Sequence, residues 1–126
     1  MGKRILIVDD SPSVRQQVAQ ALGGSGYELL EAGDGQEALA CIESTADLSL
    51  VLCDVNMPRM NGLELLDKLH EQGRLPKLPV LMLTTEGQPA LMQRAKQAGA
   101  MGWIVKPFKP PLLAAAVQKL AAAGPS

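Results

Sequence analysis

Ile5-Leu6-Ile7-Val8-Asp9-Asp10-Ser11-Pro12 is the stretch that decides the fold. Four consecutive apolar residues bounded by turn signals read as a buried strand of a parallel sheet. Ser11 and Pro12 then supply a helix N-cap and a first-turn proline. The same punctuation returns along the chain. Leu50-Val51-Leu52-Cys53 runs into Asp54, Val80-Leu81-Met82-Leu83 into Thr84-Thr85, and Trp103-Ile104-Val105 into Lys106.

Working outward, strands are predicted at residues 4–8, 27–32, 48–53, 80–83 and 102–105, with helical patterns between and after them. The first helix places Val14, Val18, Ala21 and Leu22 at helical spacing and stops at Gly23-Gly24. The two glutamates of 27–32 suit an edge strand. Asp34 is read as the cap of the second helix, with Glu37 completing a capping box. Its apolar face is Ala38, Leu39, Cys41 and Ile42. After the loop 54–61, Leu63, Leu65, Leu66 and Leu69 repeat at helical intervals. Pro76 and Pro79 bracket the connection to the fourth strand. A fourth helix runs from about Pro89 to Ala98 and ends at Gly99. Pro110-Pro111 open an alanine-rich fifth helix, Leu112 to about Ala122, before a frayed 124–126. Five βα units with no segment to spare imply a parallel sheet covered by helices on both faces.

Composition narrows the function. One domain of 126 residues closes a real core, and with three aromatic residues the packing must be aliphatic. A net charge of −1 with scattered Lys and Arg offers no basic face for nucleic acid. Cys41 and Cys53 form no spaced framework and read as buried free thiols. The amino-terminal apolar run is too short for a signal peptide or membrane span, so a cytoplasmic location is expected.

In open parallel sheets the site lies outside the carboxyl ends of the strands. Asp9, Asp10, Asp54, Thr84 and Lys106 would meet there, a divalent-metal and phosphoryl-transfer constellation. Adjacent carboxylates repel unless a cation neutralises them. Capping needs at most one of the Asp9-Asp10 pair, and a hard ion such as Mg²⁺, which takes one or two carboxylates and keeps waters for phosphate oxygens, explains the rest. A carboxylate at Asp54 can attack phosphorus, and the ammonium of Lys106 can stabilise the equatorial oxygens. Lys106 precedes Pro107; X-Pro bonds are where cis peptides occur, and a cis bond would fix the turn that aims the lysine. Each residue has a plainer reading on its own: a turn aspartate, a strand-end threonine, a solvated lysine. Their force is in the combination. His70, the only histidine, reads as a solvent-facing helix residue.

Ile-Leu-Ile-Val-Asp-Asp-Ser, Cys-Asp-Val-Asn-Met-Pro-Arg-Met-Asn-Gly-Leu-Glu-Leu-Leu, Leu-Thr-Thr-Glu and Gly-Trp-Ile-Val-Lys-Pro-Phe together resemble the signatures of response-regulator receiver domains, over essentially all 126 residues. The nearest subtype is the single-domain, CheY-like chemotaxis regulator. The resemblance implies a doubly wound, flavodoxin-like (βα)5 fold with strand order 2-1-3-4-5, a single receiver domain over 1–126, and no output domain. It implies that Asp54 accepts a phosphoryl group from a CheA-like sensor histidine kinase. Asp10, Asp54 and the Asn56 carbonyl would ligate Mg²⁺, with Asp9 acting partly through water. Lys106 and Thr84 would bind the phosphoryl group, and Asn56 and Glu86 would tune its hydrolysis.

Thr84 and Trp103 would form the switch. Trp103 departs from the usual Tyr or Phe, and the larger indole would strain an inward rotamer. Thr85 takes the small-residue position beside Thr84. Catalysis would extend only to the protein's own phosphorylation and dephosphorylation. A monomer would signal by docking a partner, a flagellar switch protein being a natural one, on the fourth helix, fifth strand and fifth helix, with no nucleic acid or membrane involved. The competing readings are a Mg²⁺-dependent small-molecule phosphatase or phosphotransferase with an aspartyl-phosphate intermediate, a flavodoxin-like nucleotide or flavin binder, and a pseudo-receiver. The chain has no insertion long enough for a substrate cap and no Gly-rich phosphate loop after the first strand; the full set of five site residues opposes the pseudo-receiver.

Overall fold

The computed structural model describes residues 3–24, 26–75, 77–85 and 87–123. Its elements alternate strictly: β1 (Arg4–Val8), α1 (Pro12–Ala21), β2 (Glu28–Ala32), α2 (Gly35–Ser44), β3 (Leu48–Cys53), α3 (Gly62–Glu71), β4 (Val80–Thr84), α4 (Pro89–Ala98), β5 (Gly102–Val105) and α5 (Pro110–Ala123). The five strands form one parallel sheet in the order β2-β1-β3-β4-β5.

Two aliphatic cores, one on each face, hold the layers together. Ile5, Ile7, Val18, Leu50, Leu52, Leu113 and Val117 pack under α1 and α5. Leu6, Val8, Val51, Leu65, Leu66, Leu69 and Met82 pack under α2, α3 and α4. Successive strand residues enter opposite cores because side chains alternate across a sheet, except at the start of β3, where the register shifts between Leu48 and Leu50. A fully buried Leu or Ile contributes about 2 kcal/mol of burial, so many aliphatic residues do what few aromatics do elsewhere.

Sheet position explains the strand compositions. Central β3 is buried at all six positions. Edge strand β2 exposes Glu28 and Glu31, which pair with Arg4 at 2.9 Å and Arg15 at 2.8 Å; charges on an edge discourage pairing with another chain.

Several sequence expectations are corrected. β2 starts at Glu28, leaving Tyr27 outside it, and β4 extends through Thr84. β5 is not a buried strand: it is the other sheet edge, and Val105 is 45% exposed. The helix opened by the double proline already begins at Pro110. Asp34 does cap α2, accepting from Glu37 N at 2.9 Å, but Glu37 returns its carboxylate to Gly33 N at 3.3 Å. The reciprocal capping box belongs to Asn61 and Glu64 at α3. The expected tail at 124–126 lies outside the described residues. None of the helices described is long and apolar enough to cross a membrane.

Candidate functional site

Asp9 follows β1 directly and is 3% exposed. Its main chain is pinned from both sides: Asp9 N donates to Ala32 O at 3.1 Å, and Arg15 Nη1 donates to Asp9 O at 2.6 Å. Asp9 Oδ1 accepts from Ser11 N at 2.9 Å, so one side-chain oxygen shapes the strand-to-helix turn. The other, Oδ2, accepts from Lys106 Nζ at 2.8 Å. Asp10, next in the chain, is exposed and has no part in capping, which Ser11 performs by accepting from Val14 N.

Asp54 follows β3 and is 7% exposed. Its N–H donates to Val8 O at 3.0 Å, and its Oδ1 accepts from Val55 N at 2.7 Å. Oδ2 lies 3.5 Å from Lys106 Nζ. A Cβ at position 62 would overlap the Asp54 carbonyl oxygen, so the loop returns over the site only because Gly62 stands there. The neighbouring Cys53 thiol donates to Asp54 O at 3.2 Å. Burial first, then the Asp54 and Asp9 carboxylates, push that thiol well above its ordinary value, which makes it a packing group rather than a nucleophile.

One carboxylate oxygen each from Asp9, Asp10 and Asp54 lies within 4.8 Å of the others. Three like charges at that spacing, with the Lys106 ammonium beside them, favour a further cation. The donors are all hard oxygens, a set suited to Mg²⁺ rather than to a thiolate- or imidazole-seeking metal. The residues present therefore fit the ion that the resemblance implies.

Lys106 leaves the end of β5 with its side chain 13% exposed. Its peptide bond to Pro107 is cis, and its N–H donates to Thr84 O at 2.7 Å. That bond joins the ends of β4 and β5, bringing Thr84, which is fully buried, to the same edge. Asn56 is exposed two residues beyond Asp54. Trp103 is not at the site. It stands opposite Met82 in the sheet and packs half-buried against the core beneath α4. Glu86 lies outside the described residues. His70 is exposed on α3, as its sequence context implied.

Two arginines near the site carried no sequence signal. Arg15 grips the Asp9 carbonyl, and Arg59 reaches Asp34 and Glu37 on α2. Only the Asn61-x-x-Glu64 spacing of the α3 capping box could have been read directly.

Residues 5–118 match the response regulator receiver domain family. The chain belongs to that family. It is 41% identical over 111 residues to the chemotaxis protein CheY1 of Helicobacter pylori, an alignment covering 87% of this chain and 90% of that one. The solved chemotaxis response regulator CheY4 of Vibrio cholerae is 42% identical, with a TM-score of 0.86 and coverage of 95% of this chain and 99% of that one. A CheY-like receiver domain from Methanospirillum hungatei is 35% identical, also at a TM-score of 0.86, covering 98% and 97%. This receiver domain is thus a two-component signalling module, one that takes its phosphoryl group from a histidine kinase and signals to a downstream target.

Proposed function

We propose that this receiver domain is a phosphorylation switch of a chemotaxis pathway, with Asp54 as its phosphoacceptor. The observation that supports it most is the setting of Asp54: a nearly buried carboxylate held by Val55 N–H, with carboxylate oxygens of Asp9 and Asp10 within 4.8 Å and the Lys106 ammonium between Asp9 and Asp54.

An Asp54 oxygen attacks the phosphorus of a donor phosphohistidine. The P–N bond breaks, its electron pair returns to the imidazole, and that nitrogen takes a proton. Val55 N–H holds the carboxylate in place during attack. Lys106, bridging Asp9 and Asp54 beforehand, turns its ammonium toward the phosphoryl oxygens, and the Thr84 hydroxyl donates to one of them. Asp9, Asp10 and Asp54, with the Asn56 carbonyl, would hold Mg²⁺. When bound, that ion neutralises the carboxylates and stabilises charge on the phosphoryl oxygens. Asn56 and Glu86 orient the water that later hydrolyses the aspartyl phosphate.

Output is read on α4, β5 and α5. A cavity of about 440 Å³ between α4 and β5, lined by Pro89, Met92, Lys96, Met101 and Trp103, supports a docking role for that face. Its state follows the loop after Thr84 and Trp103, which shift between two populations on phosphorylation. A CheA-like kinase as donor and a flagellar switch protein as target fit the chemotaxis names of the relatives, in a monomeric, cytoplasmic protein.

The single tryptophan is the reporter. Mg²⁺ titration followed by beryllofluoride is expected to change Trp103 emission in the wild type, and Asp54→Ala is expected to abolish the beryllofluoride response. An equal beryllofluoride response in Asp54→Ala would overturn the assignment of the phosphoacceptor.

A further inference from the structure

The loop that leaves Asp54 is gripped at its two ends by main-chain bonds, from Asp54 N to Val8 O and from Gly62 N to Val55 O at 2.9 Å. Between them it is anchored on α2. Gly35 N donates to Met60 O at 2.9 Å, and a Cβ at position 35 would overlap that oxygen, so the loop rests directly on the helix start. Beside this bond, Arg59 Nε donates to Asp34 Oδ2 at 2.8 Å, Arg59 Nη2 bonds the same oxygen, and Glu37 Oε2 lies 3.5 Å from Nη2.

Two features of this clamp point beyond surface decoration. Asp34 is only 4% exposed, and its other oxygen caps α2 through Glu37 N, so the pair joins the loop to a fixed point of the fold. Arg59 has φ 63°, the one non-glycine residue with positive φ among those described. Glycine or asparagine would suit that backbone better. An arginine kept there against its backbone preference has a task for its side chain.

We propose that Arg59 is a positioning residue for the phosphoryl site. Clamped to Asp34 and Glu37, it holds the segment 55–61, and Asn56 within it, in its bound arrangement before cation and phosphodonor arrive. The proposal rests on the reading of Asp54 as phosphoacceptor. A released loop must be ordered on binding, and that cost falls on affinity rather than on the chemical step.

The test is Mg²⁺ titration by Trp103 emission in wild type, Arg59→Ala, Arg59→Lys and Asp34→Asn, with phosphoramidate as phosphodonor. Simple Coulomb attraction and positioning predict opposite signs for Arg59→Ala. Removing a positive charge near a cation site would tighten Mg²⁺ binding, whereas releasing the loop weakens it. The expected result is a Mg²⁺ Kd raised about threefold in Arg59→Ala and in Asp34→Asn, the size of one partly exposed ion pair. Arg59→Lys is expected to recover part of the loss. Half-saturating phosphoramidate rises in step while the maximal rate holds. Asparagine still caps a helix, so Asp34→Asn keeps α2 intact, but losing its negative charge also weakens Mg²⁺ binding through lost Coulomb attraction. Arg59→Gln carries the same sign test where Arg59→Ala folds poorly.

Unchanged or tighter Mg²⁺ binding in Arg59→Ala, whatever Asp34→Asn does, in a system whose wild type responds, would overturn the proposal. So would a lowered maximal rate at unchanged half-saturation. A wild type that takes no phosphoryl group from phosphoramidate would instead remove the reading of Asp54, and this proposal with it.

Discussion

Helices α3 and α4 are each ten residues long and neighbours on the same face of the sheet, yet they are held very differently. α3 has a reciprocal Asn61–Glu64 capping box and buries Leu63, Leu65, Leu66 and Leu69. α4 is preceded by Gln88, which makes no side-chain cap bond, and buries only Ala95. An exposed ion pair, Arg94–Asp67 at 2.9 Å, ties one to the other. The loop before α3 leaves Asp54; the loop before α4 leaves Thr84. The helix that follows the Asp54 loop is therefore the better anchored, and the one that follows Thr84 is held by fewer contacts. Regions of low local stability are where conformational switching is cheapest.

The largest expected effect sets core residues of the two helices against each other. Leu66→Ala is expected to destabilise the protein by about 3 kcal/mol, the range for a fully buried leucine. Leu91→Ala, from the half-buried face of α4, is expected to cost about 1 kcal/mol. Urea unfolding of both variants checks this, and equal costs would break the contrast.

A smaller change sharpens it. Gln88→Asp supplies the cap that α4 lacks and is expected to stabilise the helix by about 1 kcal/mol. Hydrogen exchange over 89–98 should slow, and the beryllofluoride-induced change in Trp103 emission should shrink as α4 stiffens. A stiffened helix with an undiminished response would show that α4 does not take part in the switch.

The smallest effect concerns acid, on the anchored side. Glu37 N–H above all, then Arg59, holds the Asp34 carboxyl below its ordinary value, against the opposing effect of burial. A carboxylate with a depressed folded-state pKa stabilises above its unfolded value, about 3.9, and loses that contribution as pH falls through the folded value. The stability gap between wild type and Asp34→Asn is therefore expected near pH 6 and should narrow as pH drops below about 4. Urea midpoints across that range measure it, and a gap independent of pH would contradict the ionised Asp34 clamp.

The contrast between the helices was half legible in the chain. Leu63, Leu65, Leu66 and Leu69 announce a wide apolar stripe, whereas Leu91, Ala95 and Ala98 make a thin one among Gln93, Arg94, Lys96 and Gln97. The Asp34-x-x-Glu37 and Asn61-x-x-Glu64 spacings look alike in sequence, but only the second closes its box. The first glutamate goes instead to Gly33 N–H and lies within reach of Arg59. A local pattern does not say which distant cation will compete for a carboxylate. The exposure of β5 was missed for a related reason: an apolar run reads as buried whether it becomes a central or an edge strand.

What the sequence determined by itself is local. Each apolar run, its turn residues and the following helix signals form one βα unit, and that is enough to put Asp9, Asp10, Asp54, Thr84 and Lys106 at strand ends. Strand-to-helix turns depend on neighbours a few residues apart, and those neighbours are written consecutively. Only the tertiary structure decided which groups touch. Lys106 lies 97 residues from Asp9 and bonds it at 2.8 Å, and Arg59 clamps Asp34 across 25 residues. Those contacts follow from strand order and from how each loop settles on its neighbouring helix. Both are set by closing the two aliphatic cores, a property of the whole chain that no short stretch contains.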